Sequence, residues 1–255
     1  MKNKLFLLSE LLRRDLAARY AGSFAGPFWA VLNPAIVCAL NGFVFAYILR
    51  IPPPGGFRGN YVEYLIAGLL PWLGFQEAVL RATTSVSDGA HLVKKMKFPV
   101  GLLTVSAAGA SVLVQAIAVA LLAGFFAVSG PGRVSPLALL AAFVFETLLL
   151  AGPALLLASL NVFFRDLAQI VTPLLLIAFY LTPILYPESM VPAWANSLLA
   201  LNPLRDAIAL FRAGLVGTAV PPWHRLGAEI AAFIVLGFAG RQLFRRLRPA
   251  FADLL

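Results

Sequence analysis

The chain has one cysteine in 255 residues, Cys38, so it can close no internal disulfide. No glycine is followed by lysine anywhere, which excludes the usual phosphate-cradling loop, G-x-x-x-x-G-K-[ST]. There are two histidines, His91 and His224; the topology below puts them on opposite sides of a membrane, and no Cys/His cluster has metal-site spacing. No Ser-His-Asp grouping can be assembled. Charge is scarce too, at 12% of residues, with 11 acids against 20 lysines and arginines. These absences argue against an enzyme with its own nucleotide, metal or nucleophile site.

Apolar residues fill the gap. They make up 61% of the chain, and mean hydropathy is +0.89. Several apolar runs approach or exceed the roughly 20 residues that cross a bilayer as a helix. The expected fold class is therefore an all-α polytopic membrane protein. The net charge of +9 does not point to nucleic acid, because the basic residues cluster beside apolar runs, where they set topology and meet anionic lipid headgroups. The N-terminus is not a signal peptide, since Glu10, Arg13 and Arg14 break its apolar run and no cleavage site follows.

Six spans are expected, over 27–49, 61–80, 100–128, 137–160, 168–186 and 225–244. Residues 1–26 precede them as an interface helix and a joint. In that helix Leu5, Leu8, Leu12 and Leu16 fall on one face and Glu10, Arg13, Arg14 and Ala17 on the other. Two readings fit equally: a plain lipid-surface anchor, or a helix with lipid on one side and a partner on the other. The joint, Gly22-Ser23-Phe24-Ala25-Gly26, leads straight into the first span at Pro27, a residue suited to a first helical turn. Asn33 and Asn41, two turns apart, are expected to bond a neighbouring helix.

Residues 81–99 form the longest polar stretch between spans. Pro173 and Pro183 interrupt the fifth span, and the carbonyls they free need partners in protein or water. Residues 187–224 are too apolar for a solvated loop and too broken for a span, so two short helices around 192–201 and 203–217 are expected to dip into the membrane. Asn202-Pro203 is the N-cap and first residue of the second, whose stripe of Leu204, Ile208, Phe211 and Leu215 is opposed by Arg205 and Arg212.

Orientation follows from the basic residues. Lys2, Lys4, Arg13, Arg14, Arg19, Arg81, Lys94, Lys95, Lys97, Arg165, Arg241, Arg245, Arg246 and Arg248 fall on one side. Only Arg50, Arg58, Arg133, Arg205, Arg212 and Arg225 fall on the other. The positive-inside rule makes the first side cytoplasmic, with both termini, in a multi-pass plasma-membrane protein. Glu146 lies well inside the fourth span, where an unpaired charge costs at least ~2.5–3.5 kcal/mol. It is expected to face inward, protonated or paired, for packing more than for a proton relay. The frequent aromatics read mostly as interfacial belts; the sharper reading gives some of them a path for a sugar chain.

At this point several segments together resemble a known family. RRDLAARYAGSFAGPFWAVLNP (13–34), HLVKKMKFP (91–99), NVFFRDLAQIVTPLLLIAFYLTPILYPESMVP (161–192) and LNPLRDAIALFRAGL (201–215) resemble, in order and spacing, the permease subunits of type 2 ABC exporters for cell-surface polysaccharide. O-antigen, capsule and teichoic acid exporters belong to it. The resemblance implies a homodimer served by two copies of a separate ABC ATPase. ATP and Mg would be held there and no cofactor on this chain. It implies a lipid-linked polysaccharide as cargo, taken from the cytoplasmic side, with membrane lipids but no nucleic acid as other partners. Contacts coupling to the ATPase would come from Arg13, Arg14, Asp15, Ser87, Asp88, Gly89, His91, Lys94 and Lys95, in the interface helix and in a coupling helix over 85–95. Gly22 and Gly26 would be the hinge, although Pro27-Phe28 is stiffer than the family's usual pair. The polymer path and outer gate would use Trp29, Phe43, Phe45, Trp72, Phe75, Tyr180, Tyr186, Trp194, Asn202 and Arg205. A type 2 ABC permease for a drug or small lipid is the nearest rival; an ATP-independent channel or secondary transporter is further off, since neither repeats nor ion-coupling acids are found. A membrane transferase lacks its reactive grouping.

Overall fold

The structure is a computed structural model that describes residues 2–19, 21–24, 26–57, 59–95, 99–129 and 134–254. Among these it is entirely helical. In order come α1 (Lys2–Arg19), α2 (Trp29–Gly42), α3 (Tyr61–Asp88), α4 (Ala90–Lys95), α5 (Gly101–Ser129), α6 (Pro136–Phe163), α7 (Leu167–Leu181), α8 (Asn196–Ala200), α9 (Pro203–Val216), α10 (Trp223–Leu247) and α11 (Phe251–Leu254). Local chemistry accounts for several ends. Asn60 and Glu63 form a capping box at the start of α3, each side chain taking the other's backbone N–H. Ser135 caps α6 ahead of Pro136, and Asn202 caps α9 ahead of Pro203. Gly217 ends α9 in the left-handed region, at φ 70°. α2 runs on into a wider π turn over Phe43–Ile48.

Among the described residues, four stretches are long and apolar enough to cross a membrane: Trp29–Ile48, Gly101–Val128, Pro136–Phe163 and Trp223–Ala250. α7 is apolar but has only 15 residues, about 22 Å of helix against a hydrocarbon core of about 30 Å. α3 is long enough, at 28 residues, but carries Glu63, Glu77, Arg81 and Asp88. The bundle explains that polarity. α3 is the central helix, packed against α2, α5, α6, α7 and α9, and Leu65, Ala67, Leu69, Trp72, Ala78 and Ala82 are all buried on it. A helix enclosed by others need not be apolar all round. It also continues to Asp88, well past the expected end at 80, so the expected coupling loop is helical for most of its length.

The peripheral helices show apolar surface instead. Ile36, Leu40 and Phe43 on α2 and its extension, Leu174, Ile177 and Leu181 on α7, and Val235 and Phe238 on α10 are exposed. In a bilayer this surface meets lipid or another subunit. α6 and α10 cross in backbone contact, since a Cβ on Gly240 would lie 2.7 Å from the Gly152 carbonyl oxygen. Only glycine permits that approach.

A second, smaller core gathers at the end of the bundle that holds both described termini. There Leu11 of α1, Val86 of α3, Leu103 of α5, Val162 of α6, Phe244 of α10 and Phe251 of α11 pack together. Leu92 and Val93 of α4 lie against it. This basal core corrects the reading of α1. Its inward stripe is Leu11, which is buried, with Leu7, Leu8, Leu12, Asp15, Leu16 and Arg19 half-buried, whereas Leu5 is exposed. The chain's last turns fold back so that Phe251 is fully buried, edge-on to Phe244 at 5.3 Å and Phe163 at 6.2 Å.

Candidate functional site

Three places in this frame gather polar groups where apolar packing would be the default. The first is a line of side chains along α5. Ser106 donates to Asp15 at 2.8 Å, Ser111 accepts from Arg19 at 2.6 Å, and Gln115 donates to both oxygens of Glu146, at 3.1 and 2.8 Å. Ser106 and Gln115 are separated by roughly 13 Å along the helix. α1 therefore does not simply lie flat on a surface; its last turns run beside the first turns of α5. Arg19 also donates to Glu77 of α3 at 3.0 Å, and Glu77 accepts from Arg81 at 2.8 Å. Glu146 is buried and accepts two bonds, so it faces inward and is paired with Gln115. Gly74 makes room for Gln115: a Cβ there would lie 2.4 Å from the Gln115 side chain.

Beside this line, α2, α3, α5 and the joint enclose a cavity of about 490 Å³. Asn33 lines it, whereas Asn41 bonds the Val37 carbonyl of its own helix, not a neighbour. The joint itself is a turn closed by the Gly26 N–H on the Ser23 carbonyl at 3.2 Å, and both Gly22 (φ 75°) and Gly26 (φ 50°) adopt left-handed backbone.

The second place is the corner between α3 and α4. Asp88, His91 and Lys94 point outward, while Leu92 and Val93 hold the other face of α4 on the basal core. Arg13 and Arg14 are exposed on α1. Three of the residues expected at a partner surface turn inward instead. Asp15 is taken by Ser106, the Ser87 hydroxyl accepts from Asn161 at 3.2 Å, and Gly89 is the buried C-cap of α3, where a Cβ would lie 2.6 Å from Leu103. The Lys95 side chain and Lys97 lie outside the described residues.

The third place is the stem between α7 and the outer helices. α7 ends where Thr182-Pro183 breaks the ladder, and donors on α3, on α9 and at the α9 cap take up the carbonyls exposed there. Arg212, fully buried on α9, donates to Pro183 O at 2.7 Å, Ile184 O at 2.8 Å, Tyr64 O at 3.2 Å and the Tyr64 hydroxyl at 2.8 Å. Its guanidinium lies 3.6 Å from the centre of the Tyr64 ring. The Tyr61 hydroxyl donates to Leu185 O, and Asn202 donates to Thr182 Oγ1 at 2.9 Å. Arg212 is thus part of the core and not of α9's polar face. Arg205 behaves differently: it is partly exposed and grips Glu188 through two bonds of 2.6 and 2.5 Å, which hold its guanidinium above its usual range. Arg225 ties α10 to the same region through Asp206 and Ala200 O, and also pairs with Glu229 one turn along its own helix.

The expected aromatic path divides. Trp194 is 77% exposed, Tyr180, Phe43 and Trp29 are exposed, and Phe45, Phe75 and Tyr186 are half-buried. Tyr186, Trp194 and Asn202 share a cleft of about 220 Å³ that Arg205 does not line. Trp72 is 1% exposed, stacked against Phe75 and Phe179 with its N–H on Gln76; it is core and touches no polymer. No group of three metal-binding side chains occurs among the described residues.

Sequence reasoning did not find Gln115, Arg212 or Phe251. A lone amide in an apolar run, and an arginine beside an apolar stripe, were signals; what they bond is set only by which helices meet.

An all-helical frame with four strongly apolar stretches, a basic end, an amphipathic lead-in helix and a proline-broken stem has a counterpart among known families. Residues 7–216 match the ABC-2 type transporter family, and the chain belongs to it. Among curated proteins it is similar to the O-antigen export system permease protein RfbA of Myxococcus xanthus, at 32% identity over 97% of this chain and 94% of that one. It is also similar to two proteins of the same name from Klebsiella pneumoniae, each 28% identical over 98% of this chain and 95% of theirs.

Proposed function

We propose that this chain is the membrane-spanning subunit of an ATP-driven exporter that moves a lipid-linked polysaccharide of the O-antigen kind across the plasma membrane. The observation that carries this reading is similarity to O-antigen export permeases over almost the full length of both chains. In it, α3 and α7 join the four strongly apolar stretches as spans, giving six, and α8 and α9 dip in from the outer side. The basic end faces the cytoplasm. A separate ABC ATPase, in two copies, hydrolyses ATP beneath a homodimer of this chain, because the chain has no phosphate loop of its own.

The geometry supplies a coherent transmission. Asp88, His91 and Lys94 offer an outward polar face for the ATPase, and Arg13 and Arg14 a second one. Leu92 and Val93 pass a push on α4 into the basal core, which includes Leu11 of α1. α1 then carries it along the polar line of α5 and, through the left-handed turn at Gly22 and Gly26, to α2. Export would run between two protomers, with Tyr180, Tyr186 and Trp194 at the outer mouth offering ring faces to sugar C–H bonds.

The test is to tag the chain, purify it with the ABC ATPase of an adjacent reading frame, and ask whether both genes are needed for surface polysaccharide. An Asp88→Asn, His91→Ala double variant is expected to keep the complex and lose coupled export. Export without an ATPase would sink the main reading; normal export by the double variant would sink the coupling surface alone.

A further inference from the structure

The cavity between α2, α3 and α5 has features that packing does not require. Its inner wall carries Gln115, which is 3% exposed. Both hydrogen-bonding contacts of its amide nitrogen go to Glu146, so the amide oxygen faces the other way, and that oxygen has no donor among the described residues. The reverse orientation would set it against two carboxylate oxygens. A buried acceptor without a donor costs about 1–3 kcal/mol, so such an atom on a cavity wall marks a place where a donor is missing. At the other end Arg81 reaches the cavity rim. It spends only its Nε on Glu77, at 2.8 Å, and its side chain is 44% exposed. Its terminal nitrogens form a fork open to an anion. The rest of the lining sets apolar Trp29, Val37, Leu70 and Val114 beside polar Arg19, Ser23, Asn33 and Glu77, whose carboxylate is already held by Arg19 and Arg81. The volume, about 490 Å³, falls in the range of small-molecule sites, roughly 300–1,000 Å³.

We infer that this cavity binds the phosphoryl headgroup of a membrane amphiphile, with the phosphate on the Arg81 fork and a hydroxyl or ammonium donor of the same headgroup reaching Gln115 Oε1. Phosphate is favoured over other anions because Arg81 stands on α3 seven residues before its end at Asp88, close to the bundle's basic end, where lipid headgroups gather. The chain of the amphiphile lies along the apolar wall. The inference stands on the cavity and does not need the export reading. Occupancy would, however, wedge α2 from α3 beside the joint, where the proposed lever acts.

The experiment uses the full chain, with any ATPase it retains, in phosphatidylcholine nanodiscs doped with phosphatidylglycerol. Bound lipid per protomer is counted by native mass spectrometry. Phosphatidylcholine has the phosphate but no donor; phosphatidylglycerol has both. The expected result is retention of phosphatidylglycerol at least about 10-fold over its mole fraction. Arg81→Gln should weaken this about 10-fold, the scale of one charge-assisted bond. Glu77 keeps its bond from Arg19 in that variant, so α1 stays docked. Ala30→Phe, which fills the cavity from α2, should abolish retention while the gel-filtration profile is unchanged. A polyprenyl phosphate added in competition identifies the source. Displacement of phosphatidylglycerol assigns the site to a cargo carrier, and persistence assigns it to a resident phospholipid; either supports a phosphoryl site. Equal retention of both phospholipids, or retention unaffected by both substitutions, overturns it. Because the readout is bound lipid, that failure would leave the export reading untouched.

Discussion

Replacing Arg212 by methionine should cost more than its place on the short helix α9 suggests. The substitution keeps a long apolar stem and removes every donor. Pro183 O and Ile184 O then lose their partners inside protein, at ~1–3 kcal/mol each. The stacked Tyr64 ring loses a desolvated cation, worth about 2 kcal/mol. Against this, the variant no longer buries a charge, which returns several kcal/mol. The losses outweigh the returned desolvation, for a net destabilisation of about 1–4 kcal/mol. For a chain of this size that is a fall in Tm of roughly 2–16 °C. The assay is thermal unfolding in one fixed detergent, followed by fluorescence-detected gel filtration. Arg205→Gln on the same helix is the control. Its ion pair with Glu188 is partly solvated and worth ~0–1 kcal/mol, so it should shift Tm by less than about 4 °C. If the two variants unfold together, the assignment of Arg212 as the staple of the α7 stem is wrong.

Three further predictions follow from close contacts. Gly240→Leu should drive α6 and α10 apart, costing at least ~1–3 kcal/mol, whereas Gly227→Leu on the same helix meets open space and should be near neutral; Tm in detergent separates them. Phe251→Ala should cost ~3–5 kcal/mol from the basal core and expose the Arg246–Leu247 bond at the end of α10 to trypsin, read as loss of a C-terminal tag under native conditions. Gly22→Val forces a β-branched residue into φ 75° and should cost ~1–2 kcal/mol, while Gly22→Asn, which tolerates that region, should behave like wild type in the same thermal assay.

Much of this architecture can be read from residue order. Long apolar runs bounded by basic residues identify membrane helices, because no soluble core needs so many apolar residues in succession. The caps at Ser135-Pro136 and Asn202-Pro203 are legible because they depend on a few neighbouring atoms. So are the joint glycines, since a Gly-x-x-x-Gly segment between two helical patterns calls for backbone that other residues avoid. The absence of a phosphate loop and the four family-like segments carry the transport reading without any coordinates.

Partners across helices are a different matter. Periodicity placed Leu5 with Leu8, Leu12 and Leu16 on one apolar face of α1, but burial there is decided by α5, whose Ser106 and Ser111 bond Asp15 and Arg19. The helical wheel of α9 set Arg212 opposite its apolar stripe, yet the broken end of α7 offers it two carbonyls that no other group among the described residues reaches. Trp72 looks like a wall for sugar until α3 is seen to be enclosed by five other helices. Gln115 and Glu146 are 31 positions apart and find each other only when α5 and α6 are packed. Propensity and hydropathy act over a few residues and settle which segments are helices and which of them meet lipid. Which polar atoms are satisfied, and which remain open to a ligand, depends on contacts between segments far apart in the chain, and only the packed bundle decides those.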